Sequence, residues 1–189
     1  GLLDLKLADG RFYTDDDITE FIREHFDDDV NECYSRINCG AFRADFFRYC
    51  VMYIHGGVYV DIDHIPDEKD LLDASWHTID EELYKAERLQ LADVITEDDD
   101  CVFVSHPIQK PRGFDIVLNA VLMSIPKHPI FYEIIKTVCD NMKNNRYRSG
   151  LEIHYCTGSH VVIKAICKVL DCDKIPCHGY LTPHIKFLR

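Results

Sequence analysis

Residues 43–63, RADFFRYCVMYIHGGVYVDID, contain the strongest structural signals of the chain. They predict an amphipathic helix, a stop at Gly56 and Gly57, and a short strand that ends in two carboxylates. Asp61 and Asp63 lie two residues apart, and because side chains alternate faces along a strand, both project the same way. Two carboxylates on one face suit Mg²⁺ or Mn²⁺, whose remaining ligands are usually water and substrate phosphates. The segment therefore predicts a metal-dependent enzyme that acts on a nucleotide-linked substrate.

The helix before the glycines carries a second pair of charged residues. Asp45 and Arg48 are three residues apart and share one helical face. A helix, a tight turn and a strand would bring this face near the carboxyl end of the strand, where open α/β sheets bind their ligands. A buried structural ion pair is the alternative interpretation, and the spacing alone favours neither.

Composition and charge narrow the class of protein. The chain has 189 residues, of which 47% are hydrophobic and 29% charged, as expected for one globular domain. No apolar run approaches the roughly 18 residues of a membrane span, and no signal peptide is visible in the sequence. The formal charge of −12 argues against nucleic-acid binding and requires local cations, a metal or an arginine, wherever an anionic donor binds.

The nine cysteines form no CxxC pair. Cys172, Cys177 and His178 loosely resemble zinc ligands, but no second pair at zinc-finger spacing completes a tetrahedral site. We therefore predict buried reduced thiols, which pack as small hydrophobic groups. Together with the absence of an Asn-x-Ser/Thr acceptor, this favours a reducing compartment.

Short strands and helices alternate along the chain, which predicts an α/β fold. Thr14 caps a helix that runs to about Phe26, and Pro129 opens a helix through Met142. The remaining predicted elements are a strand at 102–104, a helix or strand–helix junction over 114–124, and a helix over 160–170.

The central segment resembles the DXD-containing glycosyltransferases of the Och-type mannosyltransferase and alpha-galactosyltransferase group. Their shared pattern is an Arg/Ser-x-Asp-x-x-Arg helix, then Gly-Gly-x-Tyr, then Asp-x-Asp. The likeness continues in FYTDDDITEF (12–21), in NAVLMSIPKHP (119–129), which resembles an Asn-containing helix of the family, and in residues 157–159, which are similar to the family's Thr-Gly-Pro. The positions that match the central pattern are Arg43, Asp45, Arg48, Gly56, Gly57, Tyr59, Asp61 and Asp63.

The resemblance implies a GT-A fold, an α/β domain with a single Rossmann-like mixed sheet flanked by helices. It implies a nucleoside-diphosphate sugar donor, more often UDP than GDP, Mn²⁺ or Mg²⁺ as the metal, and a glycan or glycoprotein acceptor. Asp63 would bind the metal directly, and Asp61 would contact the ribose and the metal. Asp45 and Arg48 would contact the donor sugar or the diphosphate. The residues implied to lie near the donor sugar or the acceptor are Asn119, Thr157, Gly158 and Ser159.

Two features depart from the family pattern. The opening strand that lines the nucleotide-base pocket is not found before Phe12. We expect one catalytic domain over residues 1–189, either complete or without that first strand. The terminal His followed by Gly-Ser-Trp is also absent, and His178 or His184 is the candidate substitute as a metal ligand. The compact chain resembles soluble viral members of the family. We therefore expect a cytoplasmic location, with the luminal domain of a Golgi enzyme, cut from its anchor, as the alternative.

The family resemblance implies retention of anomeric configuration. Retention proceeds either through a carboxylate nucleophile, for which Asp45 and Asp115 are the candidates, or through same-face attack with the leaving phosphate as base. We favour same-face attack. The competing classes are an Asp-x-Asp metal-dependent phosphohydrolase and a catalytically inactive sugar-nucleotide-binding module.

Overall fold

A computed structural model describes residues 11, 13–61, 96, 98–106, 116–144, 153–175 and 179–188. Helices in these residues flank one mixed sheet of five strands. In chain order the elements are α1 (Asp15–His25), α2 (Asp28–Arg36), α3 (Gly40–His55), β1 (Gly57–Val60), β2 (Cys101–His106), β3 (Ile116–Ser124), α4 (Pro129–Lys143), α5 (Ile153–Cys156), α6 (Ser159–Leu170), β4 (Gly179–Thr182) and β5 (Ile185–Leu188).

The sheet has the strand order β1-β3-β2-β5-β4. Strands β2 and β5 are parallel, and every other neighbouring pair is antiparallel. The predicted mixed α/β architecture is confirmed. The predicted helix or strand–helix junction over residues 114–124 is wrong for 116–124, which form strand β3 between β1 and β2. Its sequence IVLNAVLMS lacks clear alternation because a central strand is covered on both faces, and such a run cannot be distinguished from a buried helix by period.

Helix α3 and strand β1 follow the predicted order, with Gly56 between them. Gly56 has φ +64° and donates its N–H to the carbonyl of Met52, which ends the helix. A Cβ built there would lie 2.6 Å from the backbone nitrogen of Pro126 and 2.6 Å from the carbonyl oxygen of Ser124. The glycine is therefore required both by its backbone conformation and by the close approach of another segment.

The core lies where α3, α4 and α6 meet the sheet. Phe46 of α3, Phe103 of β2 and Phe131 of α4 are all fully buried. The same helix α3 also buries two charged side chains, Asp45 and Arg48, which are 7% and 6% exposed. Charged residues are almost never buried to this extent unless they are paired, so this face of α3 marks a polar site inside the core.

Both N-terminal helices begin at a capping side chain. Thr14 caps α1 as predicted and forms a reciprocal capping box with Asp17. Helix α2 was not predicted, although its capping signal is in the sequence: the carboxylate of Asp27 accepts from the N–H of Val30. None of the helices in the described ranges is long and apolar enough to cross a lipid bilayer.

Helix α4 begins with a histidine cap that makes stability depend on pH. The Nδ1 of His128 accepts from the N–H of Ile130 at 3.3 Å, and the residue is 6% exposed. Burial lowers the pKa of His128, while the nearby Asp100 opposes that shift. The folded state therefore holds the neutral ring, and the unfolded chain takes up a proton first as pH falls below about 6.5.

We expect the free energy of unfolding to decrease as pH falls from about 7.5 through the lowered pKa of His128. The loss should be on the order of 1 kcal/mol, the usual value of an N-cap. His128→Asn keeps a capping acceptor but does not titrate, so it should lose correspondingly less stability over the same range. Urea denaturation at several pH values measures both proteins, and identical pH profiles would contradict the assignment.

Candidate active site

The site is built around an ion pair on α3. Arg48 Nη2 lies 3.1 Å from Asp45 Oδ1, and the two side chains are 7% and 11% exposed. The spacing of three residues puts both on one face of the helix, as predicted. Because this face turns toward β1 and β3, the pair lies at the point where the strand after Gly56 ends.

Asp61 joins the pair from the end of β1. Its Oδ2 accepts from Arg48 Nη1 at 3.2 Å, and its Oδ1 accepts from the hydroxyl of Tyr59 at 2.8 Å. Its backbone N–H donates to the carbonyl of Ala120 at 2.9 Å, which extends the pairing of β1 with β3 by one residue. With its side chain 26% exposed, Asp61 is the charged group of this network that is open to a ligand.

Asn119 of β3 links the backbone and side chains of the site. Its carbonyl accepts from Arg48 Nη1 at 2.7 Å, and its Nδ2 donates to Asp45 Oδ1 at 2.9 Å. The structure thus brings Asn119 to the predicted site, although the residue lies on a strand and not on the helix that the family resemblance implied.

Thr157 closes the network from the segment between α5 and α6. Its hydroxyl donates to Asp45 Oδ2 at 2.8 Å, and its carbonyl accepts from the Tyr49 hydroxyl at 2.7 Å. Gly158 and Ser159 follow as the N-cap and first residue of α6, and both are buried beside this segment. Of the three predicted residues of this segment, Thr157 is the one that hydrogen-bonds to α3.

Burial and charge oppose one another at the centre of the site. Burial raises the pKa of Asp45, and Arg48, Thr157 and Asn119 only partly offset the rise. Burial lowers the pKa of Arg48, but Tyr59, Asp45 and the other neighbours outweigh it, so the guanidinium is held charged. The Arg48 carbon Cζ also lies 5.0 Å above the centre of the Tyr59 ring, a cation–π contact.

The site includes two tyrosines that were not predicted from the sequence. Tyr49 lies four residues after Asp45, one helical turn along the same face, and accepts from Asn119 Nδ2 at 3.3 Å. Tyr59 lies two residues before Asp61, so the two side chains project from the same face of the strand. Both spacings were visible in the sequence. Burial raises the pKa of each phenol, so both hydroxyls remain protonated and act as donors.

Several predicted site residues lie outside the described residues: Asp63, Asp115 and His178. His184 is described, and its Nδ1 lies 2.7 Å from the carbonyl oxygen of Asp98. Its backbone carbonyl accepts from Cys101, the first residue of β2. Because β1 and β2 run in the same direction on either side of β3, His184 and Asp61 lie at opposite ends of the sheet. The structure does not bring His184 to the site.

The donor chemistry of Asp61 suits a hard divalent cation. Each carboxylate oxygen accepts one hydrogen bond from Arg48 or Tyr59, and an ionised carboxylate has further acceptor positions on both oxygens. No group of three or more His, Cys, Asp or Glu side chains within the described residues is arranged to hold a metal. A metal bound at Asp61 would thus need ligands from Asp63, substrate or water.

Comparison with known proteins agrees with this geometry. Residues 9–81 match the family described as the glycosyltransferase sugar-binding region containing the DXD motif. This range holds α3, Gly56, β1 and both motif aspartates. The predicted resemblance to the DXD-containing glycosyltransferases is confirmed for this segment of the chain.

Two similar proteins are also named glycosyltransferases. An uncharacterized glycosyltransferase of Acanthamoeba polyphaga mimivirus is 29% identical over 127 residues, which cover 67% of this chain and 41% of the relative. A putative glycosyltransferase of Saccharomyces cerevisiae is 26% identical over 139 residues, which cover 69% of this chain and 33% of the relative. The chain therefore spans less than half of the length of each of these relatives.

Proposed function

We propose that the chain is the GT-A-type catalytic domain of a metal-dependent glycosyltransferase, which moves a sugar from a UDP-sugar to a glycan or glycoprotein with retention of configuration. The observation that carries the proposal is the network of Asp45, Arg48, Asp61, Asn119 and Thr157, which joins four separate parts of the chain and includes the 26% exposed carboxylate of Asp61. The match to the DXD family over the same segment supports it.

The charge of the network supports metal dependence. Arg48 is the single cation among the described network residues, and two carboxylates, Asp45 and Asp61, already face it. The net charge of these three residues at neutral pH is negative, and Asp63 adds a further negative charge nearby in the sequence. A nucleoside diphosphate would be repelled by this site unless a divalent cation stood between the carboxylates and the phosphates.

Each residue of the network has a distinct role in the proposed mechanism. Asp61 and Asp63 would hold the cation, which neutralises charge on the departing diphosphate when it is bound. Arg48 fixes the Asp61 carboxylate on one side, and Tyr59 fixes it on the other. Asp45, held by Asn119 and Thr157, positions Arg48. Preorganised polar groups of this kind avoid reorganisation during the reaction.

The hydrogen bonds of Asp45 favour same-face attack over a covalent intermediate on that residue. Its two oxygens accept from Arg48, Asn119 and Thr157, and the residue is 7% exposed. A carboxylate committed to three donors is poorly suited to attack carbon. In same-face attack, the acceptor oxygen bonds to the anomeric carbon as the bond to the phosphate oxygen breaks, and the acceptor proton passes to the phosphate. Asp115 remains the other candidate nucleophile.

Isothermal titration with UDP and GDP, each with and without Mn²⁺, tests the proposal. We expect UDP to bind only with the metal, and Asp63→Ala to weaken binding at least about 100-fold, the usual range for removal of one key electrostatic group. Asp140→Ala, on the exposed side of α4, is the matched control and should bind as the parent does.

The failure of both nucleotides to bind under every metal condition would overturn the donor-site assignment. Incubation with a UDP-sugar and, separately, with a sugar phosphate separates the enzyme classes. Release of free sugar and UDP from the UDP-sugar indicates a glycosyltransferase, whereas release of inorganic phosphate from the sugar phosphate indicates the Asp-x-Asp phosphohydrolase. Metal-dependent binding without any turnover, even with added glycan acceptors, indicates the inactive binding module.

A further inference from the structure

A concave site lies beside the backbone segment that carries Thr157. It is a cavity of about 450 Å³, and its lining residues are Asn141, Tyr155, Cys156, His160, Ile163 and Lys164. The volume falls within the range of small-molecule sites, and the lining combines apolar surface with a few polar groups. None of these six residues takes part in the network around Asp61.

An exposed aromatic ring forms one side of this cavity. Tyr155 is 60% exposed, and Tyr132 is the other large hydrophobic residue of the described ranges with such exposure. The imidazole of His160 stacks on the Tyr155 ring, with the ring centres 4.3 Å apart and an angle of 11° between the planes. This stack fixes the orientation of Tyr155 and covers one face of the ring. The 60% exposure of Tyr155 leaves apolar surface that a ligand can contact.

The polar groups of the cavity favour a ligand with hydroxyls. Asn141 is 6% exposed, and its Nδ2 donates to the carbonyls of Cys156 at 3.1 Å and Tyr155 at 3.4 Å. With Nδ2 donating to the backbone, Oδ1 is the remaining acceptor of this amide. The ammonium of Lys164 adds up to three donors at the cavity wall. An exposed ring, an acceptor and a donor suit the alternating C–H and O–H surface of a hexose.

Hydrogen bonds to one backbone segment connect the cavity to the candidate active site. Asn141 holds the carbonyls of Tyr155 and Cys156 from one side, while Tyr49 holds the carbonyl of Thr157 from the other. Only Cys156 separates Tyr155 from Thr157, so the Cα atoms of these two residues lie at most about 7–8 Å apart. This short backbone separation places the cavity next to the segment that carries Thr157.

We propose that this cavity binds one hexose unit of the acceptor glycan, remote from the position of transfer. The identification of this glycan as the acceptor rests on the proposed glycosyltransferase function. The binding of a sugar in the cavity does not depend on that function. Binding energy from such a remote unit can be used to position the reacting hydroxyl, so it favours longer acceptors over a single sugar.

NMR titration with methyl glycosides of glucose, galactose and mannose tests the proposal directly. We expect at least one of these sugars to shift the ring C–H signals of Tyr155, which are assigned by their disappearance in Tyr155→Phe. The dissociation constant should be on the order of 1 mM, as for a single weakly held unit. Tyr155→Ala should weaken this binding at least about tenfold, because the ring supplies the main apolar contact.

Tyr132→Ala is the matched control, since Tyr132 is also an exposed tyrosine, at 51%, but lies on α4 outside the cavity. It should bind the sugars as the parent does. Absence of any Tyr155 shift with all three sugars, or equal loss of binding in Tyr132→Ala, would overturn the proposal. A Tyr155 shift with UDP alone would also overturn it, by assigning the cavity to the nucleotide. If the protein binds a sugar but not UDP, the result supports the hexose site and contradicts the proposed glycosyltransferase function.

Discussion

Gly56→Ala is expected to destabilise the fold by more than about 4 kcal/mol, among the largest effects of a single substitution. The new Cβ would lie 2.6 Å from two backbone atoms, the nitrogen of Pro126 and the oxygen of Ser124, and 2.8 Å from the carbonyl carbon of Ile125. Backbone cannot move aside as the end of a flexible side chain can. The residue also has φ +64°, which is strained for alanine. Loss of cooperative unfolding in urea, or of soluble expression, is the measurement.

Two other glycines provide controls for this prediction. Gly57 has φ +97°, but a Cβ there meets nothing within 4 Å, so Gly57→Ala should cost only the backbone strain of about 1–3 kcal/mol. Gly40, in the first turn of α3, also has open space around it, and Gly40→Ala should be neutral or slightly stabilising. Equal stability of all three variants would contradict the close approach of residues 124–126 to Gly56.

Arg48→Met is expected to have the second large effect, a loss of about 3–5 kcal/mol in the free energy of unfolding. The substitution preserves much of the side-chain volume but leaves Asp45 and Asp61 facing each other without the cation that now separates them. It also removes the donor to the carbonyl of Asn119. Urea denaturation at neutral pH measures the change, and a loss below about 1 kcal/mol would indicate an ion pair of the weak, solvent-screened kind.

A double-mutant cycle separates the pair from general packing. Asp45→Asn removes one buried charge, so Asp45→Asn combined with Arg48→Met should cost less than the sum of the two single changes. Additive losses would show that the two residues act independently. The same variants should lose UDP binding, which distinguishes the proposed role in the donor site from a purely structural pair.

The central segment could be predicted from sequence because its signals are local. A helix, a glycine at its end and a strand after it are each encoded within a few residues, and the spacing of Asp45 and Arg48 fixes their common face. The convergence of Asn119 and Thr157 on Asp45 depends on tertiary packing between distant segments. Only the family resemblance pointed to these two residues, and no period in the sequence did.

The failures have equally specific causes. Strand β3 cannot be distinguished from a helix in the sequence, because a strand covered on both faces has no alternation to identify it. The tyrosines of the site were overlooked because aromatic residues in a helix or strand are usually core, and here they serve as core and as hydrogen-bond donors at once. Tyr49 is fully buried, yet its hydroxyl holds the carbonyl of Thr157.

The wide sequence separation within the network also determines when the site can form. The hydrogen bond from Thr157 to Asp45 joins residues 112 positions apart, and that from Asn119 to Asp45 joins residues 74 apart. Contacts of this range close late in folding, because the loop entropy must be overcome first. A growing chain on the ribosome cannot assemble the pocket until α6 has emerged. A nucleotide that binds there would therefore select only the finished fold, and its effect on the melting temperature would report completion of the whole domain.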